Sequence, residues 1–233
     1  MDDATNIIVA IDGPAGSGKS TIARLLSRRH GFTYLDTGAM YRAVAWRALR
    51  LGVPVEDEAG VSLIAQSDPI EFGEGADGQT VSIAGCDVTD QIRTPEVDAA
   101  VSSVARIPAV REEMVRAQRA IAGQRSVVCE GRDIGTVVFP RAQVKVFLTA
   151  SPQMRARRRA RQNASRGMQG ASVDEAAILE GIVKRDETDS HREVAPLRAA
   201  DDAVRIDTSS MSIDEVVAAI DRLIDQARQT GRG

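Results

Sequence analysis

Cysteine, lysine and aromatic residues are all scarce in this chain of 233 residues. The two cysteines, Cys86 and Cys129, stand far apart with no CxxC or Cys/His spacing. Neither a disulfide framework nor a zinc site is indicated, and both are read as inert thiols. No apolar run approaches the roughly 20 residues that span a bilayer, so a helical membrane protein is not expected. Met1 to Asn6 are acidic and polar, and the apolar strand behind them is too short for a secretory signal, so the expected compartment is the cytoplasm. The formal net charge of −3 lacks the strongly basic balance of a protein that coats nucleic acid. The expectation is a monomer acting on small molecules, with no nucleic-acid or membrane partner.

Lysine occurs only at Lys19, Lys145 and Lys184, so nearly all the positive charge is arginine. Arg155, Arg157, Arg158, Arg159 and Arg161 crowd one short stretch. Two readings are open: a solvated helix face, or a set of planar guanidinium forks wanted for phosphate.

Hydrophobic residues make up 43% and charged residues 27%, an ordinary globular composition, and the length suits one core of about 150 residues carrying insertions. Ile7 to Ile11 is a continuous, largely β-branched run ending at a turn signal, which reads as a buried parallel strand. A helix is expected over Lys19 to Arg29 with Gly31 as its stop, then a strand over Phe32 to Leu35 and a helix from Thr37 to Leu51 ending at Gly52. Ser67 to Thr94 turns to glycine, aspartate and short alternating patches, the texture of small antiparallel strands in an insertion. Pro95 to Ala122 is helical, broken into two pieces at Pro108. Val127 to Cys129, Val144 to Leu148 and Val204 to Ile206 read as further strands, with a last helix over Ile213 to Arg228. Strands alternating with helices imply a mainly parallel sheet covered on both faces.

Gly13-Pro14-Ala15-Gly16-Ser17-Gly18-Lys19-Ser20 fits G-x-x-x-x-G-K-[ST], with Thr21 following. It lies between a strand and a helix, so its backbone N–H groups can turn inward as an anion nest at the positive end of the helix dipole. Lys19 is placed to neutralise β- and γ-phosphate oxygens, and the Ser20 hydroxyl to ligate a bridging Mg²⁺. The stretch is therefore read as an ATP site. Switch GTPases, ATPases and small-molecule kinases share such a cradle, so it leaves the acceptor open.

Three further stretches bear on the acceptor: Leu35 to Arg42, Glu130 to Pro140, and Lys184-Arg185-Asp186 through Arg192 to Pro196. With the cradle, they make the chain resemble the bacterial cytidylate kinases over essentially its whole length. The resemblance implies a P-loop α/β/α fold of three layers with a five-stranded parallel sheet, an inserted monophosphate-binding domain and a lid. On that basis residues 1–36, 123–152 and 172–233 form the core, 37–122 the insertion and 153–171 the lid. It implies transfer of a phosphoryl group from ATP to CMP or dCMP with Mg²⁺. Thr37, Arg42 and Arg132 would surround the CMP phosphate and sugar, with Asp36 and Tyr41 in the same stretch. Ser102, Arg111 and Asp133 would read the cytosine edge. Arg185 and Asp189 would meet the ribose, and Arg192 the base and phosphates. Lys19, Arg132, Asp133 and Arg158 are the expected catalytic group, Arg158 standing for the lid arginines. The arginine cluster coincides with the implied lid, which favours phosphate clamping.

Two positions depart from several family members. Thr37 stands where serine is found and keeps the hydroxyl; Glu130 stands where aspartate is found and keeps the charge on a longer arm, its role open. Asp36 could orient Mg²⁺-bound water or an arginine. The rival readings are a kinase for another acceptor and a nucleic-acid-stimulated ATPase; no Asn-Lys-x-Asp motif supports a GTPase.

Overall fold

The computed structural model describes residues 6–75, 78–123, 125–165, 167, 170, 173–191 and 194–230. Arg192, and residues 166, 168–169 and 171 of the expected lid, lie outside the described residues. The chain divides into two units, one of residues 1–35 and 122–233 and the other of residues 36–121.

The first unit is built on a five-stranded parallel sheet. Its strands are β1 (Ile8–Asp12), β2 (Thr33–Asp36, whose last residue opens the other unit), β6 (Val127–Gly131), β7 (Val144–Thr149) and β8 (Val204–Asp207). The order across the sheet is β2-β6-β1-β7-β8. β1 pairs in parallel with both β6 and β7, Ile11 lying opposite Glu130 on one side and Val146 on the other. That central place explains the unbroken apolar run in β1: both of its faces are covered, so alternation with polar residues is not tolerated.

Helix α1 (Lys19–His30) follows β1 and stops at Gly31, which adopts φ +68° and donates its N–H to the Ser27 carbonyl. Its Ile22, Ala23 and Leu26 are fully covered and meet Val216, Val217, Ile220 and Ile224 of α8 (Ile213–Thr230) in one core with β1, β6, β7 and β8. At the edge of this core His30 Nε2 lies 2.8 Å from Asp221 Oδ1, which links α1 to α8.

The remaining helices of this unit are α6 (Pro152–Ser165) and α7 (Glu175–Ser190). α7 was not legible as a helix, and the reason is physical. Of its side chains only Ile182 and Asp189 are buried, so it carries no apolar stripe for periodicity to reveal. Between β6 and β7 a single π-helical turn covers Ile134–Val138, a geometry that propensity does not signal and that occurs often at functional sites.

The second unit holds α2 (Thr37–Leu51), α3 (Glu58–Ser67), a three-stranded antiparallel sheet of β3 (Ile70–Gly75), β4 (Gly78–Ile83) and β5 (Cys86–Asp87), and the helices α4 (Pro95–Val104) and α5 (Pro108–Ala122). The break expected at Pro108 falls where α5 begins, since proline suits a first helical turn whose N–H has no partner. α3 is an addition to the expected elements, capped by Asp57, which accepts from the Gly60 N–H. Ala39 and Ala43 of α2 let the helix approach Val81, Ile83, Val88 and Ile92 closely, with Trp46, Ile70 and Phe72 at the margin.

Ile220 is completely buried among β-branched neighbours, whereas Leu63 is 63% exposed. Ile220→Ala is expected to lower unfolding free energy by about 2–5 kcal/mol in denaturant titration, and Leu63→Ala by less than about 0.5 kcal/mol.

Candidate active site

The loop between β1 and α1 has a backbone that only glycine supports at key points. Gly13 sits at φ +146°, and a Cβ there would lie 2.0 Å from the Leu148 carbonyl oxygen. Gly18, at φ +97°, is the N-cap of α1, and no side chain caps the helix. The first turn of α1 also carries no acidic residue. Among the described residues no side chain caps this turn, so its N–H groups and dipole favour an anion.

Lys19 opens that turn. Its side chain is buried, and Nζ donates to the Pro14 carbonyl at 2.8 Å. Burial pulls its ammonium down to about 7; Arg132 pushes in the same direction, and Glu130 and Asp12 pull back. A lysine at the edge of neutrality responds strongly to added negative charge. Ser17 Oγ is buried in the same loop without a hydrogen-bond partner. Pro14, Ala15, Gly16 and Ser17 complete the loop between these residues, and Thr21 follows in α1 with an exposed side chain.

Ser20 donates its hydroxyl to Glu130 Oε2 at 2.9 Å, and the other oxygen of Glu130 accepts from Tyr34. Glu130, whose role the sequence left open, is thus the penultimate residue of β6 and a buried carboxylate against the serine of the cradle. These are hard oxygen donors of the kind Mg²⁺ prefers, and few of them, as suits a cation that keeps phosphate and water ligands. Among the described residues no group of three or more His, Cys, Asp or Glu side chains could by itself hold a metal ion.

Arg132 directly follows β6. Its Nε donates to Asp189 Oδ2 at 3.1 Å, and Arg185 Nε lies 3.9 Å from the same oxygen. Asp189 is only 1% exposed, so its charge depends on those guanidinium groups. The structure brings together Arg132, Arg185 and Asp189, three of the residues expected to hold the acceptor. Asp133 is buried at the start of the π-helical turn and accepts the Val137 and Val138 N–H groups at its backbone carbonyl.

The arginine cluster of α6 resolves into separate parts. Arg155 is buried: Nε donates to the Ala150 carbonyl, Nη1 reaches the Ala15 carbonyl at 3.2 Å, and the fork pairs with Asp186 of α7. It therefore ties the cradle to α6 and α7. Arg158 donates to Thr208 at both the hydroxyl (2.9 Å) and the carbonyl (2.6 Å), while the Thr208 hydroxyl lies 3.1 Å from the Ser17 carbonyl. Its Nη1 lies 3.9 Å from where a Cβ on Gly18 would be. Arg157, by contrast, is exposed and lies 3.6 Å from Glu175.

In the second unit Asp36 caps α2, accepting the Ala39 N–H at 3.0 Å, and pairs with Arg93 at 2.8 Å. Burial opposes its charge, but Arg93, the Ala39 N–H and Arg42 outweigh it and hold the carboxyl below its usual range. Arg42 donates to the Ile92 carbonyl at 3.0 Å and pairs with Asp98. Thr37 is buried in the first turn of α2. The Arg111 guanidinium lies 5.8 Å from the centroid of the Tyr41 ring, a cation–π distance, and reaches the Ala105 carbonyl at 3.3 Å. Ser102 is half-buried on α4.

Sequence reasoning missed Asp12, Tyr34, Arg93, Asp98, Asp186 and Thr208. Asp12 and Thr208 did carry a local signal, each being a polar residue at or just beyond the end of a strand that meets the cradle. The others are partners supplied by distant segments and left no mark in the local pattern.

Comparison with known proteins bears on the family. The cytidylate kinase family profile matches residues 9–226. The cytidylate kinase of Pelotomaculum thermopropionicum is 51% identical over 222 residues, covering 95% of this chain and 97% of that one. That of Geobacillus thermodenitrificans is 50% identical over 220 residues, covering 94% and 97%. A solved structure of an uncharacterised protein from Eubacterium ventriosum, 14% identical, matches with a TM-score of 0.52 over 94% of this chain and 99% of that one, a likeness of fold. The chain belongs to the cytidylate kinase family.

Proposed function

We propose that this protein transfers the γ-phosphoryl group of ATP to CMP or dCMP, giving ADP and the nucleoside diphosphate, in the cytoplasm and as a monomer that needs no nucleic acid. The observation that carries the donor half is the uncapped N-terminus of α1, with Lys19 buried and Ser20 exposed in its first turn. Support for the acceptor half is the identity to cytidylate kinases over nearly the whole chain. No helix among the described residues is long and apolar enough to cross a membrane.

The triphosphate would lie in the Gly13–Thr21 loop, its charge met by backbone N–H groups and Lys19. Ser20 and, beside it, Glu130 would hold Mg²⁺, which when bound neutralises oxygens of the β- and γ-phosphates. The CMP phosphate is already largely ionised near neutral pH, so the reaction needs positioning and charge neutralisation more than a strong base. We assign phosphate and sugar of the acceptor to Thr37, Arg42, Arg132, Arg185 and Asp189, with Asp36 holding Arg93 and α2 in place. Cytosine falls to Ser102, Arg111 and Asp133, a carboxylate accepting the N4 amino group and arginine serving the acceptors of the ring. Arg192 belongs with this set by its sequence position. Residues 37–122 are taken as the acceptor-binding insertion and 153–171 as the lid. Arg158, whose Nη1 lies beside Gly18 and whose partner is the neutral Thr208, is the lid arginine favoured for the transferring group; the Arg155 fork is paired with the Asp186 carboxylate.

A panel of monophosphates assayed by ADP release tests the reading: CMP and dCMP should be phosphorylated in preference to AMP, and a preference for AMP overturns it. Asp133→Ala should narrow the preference for CMP over UMP by about tenfold or more while transfer to CMP persists. Lys19 supplies a pH test. At pH 8 a lysine lowered to about 7 is mostly neutral, and a bound triphosphate raises it again. ATP binding should then take up close to one proton at pH 8 and little at pH 6 through this group. Calorimetry in two buffers of different ionisation enthalpy measures the uptake, and Lys19→Met should abolish it.

A further inference from the structure

Asp12 has no part in the proposed chemistry, yet it is a buried carboxylate beside the cradle with both of its oxygens engaged. It is the last residue of β1, immediately before Gly13, and is only 4% exposed. Its two oxygens accept from two successive amides, Oδ1 from Ile134 N and Oδ2 from Gly135 N, each at 2.8 Å. A carboxylate holding two consecutive N–H groups fixes the peptide between them in direction as well as position. That peptide opens the π-helical turn whose preceding residues are Arg132 and Asp133. A Cβ on Gly135 would stand in ordinary contact with Asp12 Oδ2, at 3.4 Å, and 3.3 Å from Cδ of the flexible Lys145 side chain.

We infer that Asp12 is a positioning residue that locks the Arg132–Asp133 segment to the phosphate cradle, so that acceptor contacts are held in register with the triphosphate. This rests on the reading of Arg132 and Asp133 as acceptor contacts. An unanchored segment at this place would leave two buried N–H groups unpaired and free Arg132 and Asp133 to follow the loop. Burial raises the Asp12 carboxyl to about 6, the Gly135 and Ile134 amides oppose that rise, Asp133 adds to it and Lys19 pulls against it. The same residue thus feels both the cradle and the acceptor segment.

Asp12→Asn keeps the shape but turns one acceptor into a donor facing an N–H. It is expected to raise KM for CMP at least tenfold at saturating ATP and to erode discrimination between CMP and UMP, with KM for ATP changed less than about threefold. A general structural defect would move both KM values together, and that result, or no change in either, overturns the inference. Amide hydrogen exchange supplies a readout independent of the acceptor. Ile134 and Gly135 should be protected in the wild type and should lose that protection, by at least tenfold, in Asp12→Asn. Weak protection of those amides in the wild type refutes the anchor even if the variant fails to fold. If the wild type does not phosphorylate CMP, the proposed function fails, and the exchange experiment still decides whether Asp12 holds the turn.

Discussion

A lysine ammonium buried against a carbonyl oxygen is the constraint on which the first unit depends. Lys19 lies where burial strips water from its charge, and only the Pro14 carbonyl and the more distant carboxylates of Glu130 and Asp12 offset that cost. The position is tolerable because α1 begins there, with the loop backbone wound around it by glycines at positive φ. Much of the surrounding architecture holds that loop still: Gly13 is pressed against the Leu148 carbonyl, Arg155 grips the Ala15 carbonyl and Thr208 reaches the Ser17 carbonyl. In the role proposed for it, the loop must keep its donors aimed while like charges repel, and rigid support is what stops it from collapsing onto itself.

The same logic governs the arginines. A guanidinium cannot shed its proton, so each buried one must be met by carboxylates or carbonyls. Arg155 has Asp186, Arg132 and Arg185 share Asp189, Arg42 has Asp98 and the Ile92 carbonyl, and Arg93 has Asp36. The scarcity of lysine fits this pattern, because a planar fork holds its direction when paired on one edge and can offer another edge to a ligand. In each unit the carboxylates of these pairs hold the arginines in place.

Much of this was legible from the chain. β1, α1 and the cradle between them were readable because strand, turn and helix each have a local cause: a β-branched run, glycines, and an apolar stripe ending in Gly31. α2 with its Gly52 stop and the split of α4 from α5 at Pro108 were readable for the same reason. α7 was not, since it buries an aspartate and one isoleucine rather than a stripe, and the π-helical turn has no signature of propensity at all. Asp36 illustrates the limit: the sequence left it to orient either Mg²⁺-bound water or an arginine, and the fold gives it Arg93 to hold and a helix cap that was not foreseen.

The sequence by itself determined that a glycine-rich loop suited to an anion follows β1, because backbone conformation and helix dipole are local properties of a short stretch. It also determined, through the spacing of motifs across the chain, the family to which the protein belongs. Only the tertiary structure decided which charged group meets which. Glu130 meets Ser20 across 110 residues, Asp12 meets the Ile134 amide across 122, and Arg155 meets Ala15 across 140. Such pairings arise from the order in which parallel strands lie side by side. Nothing in a residue's own neighbourhood records which distant strand end will be placed beside it.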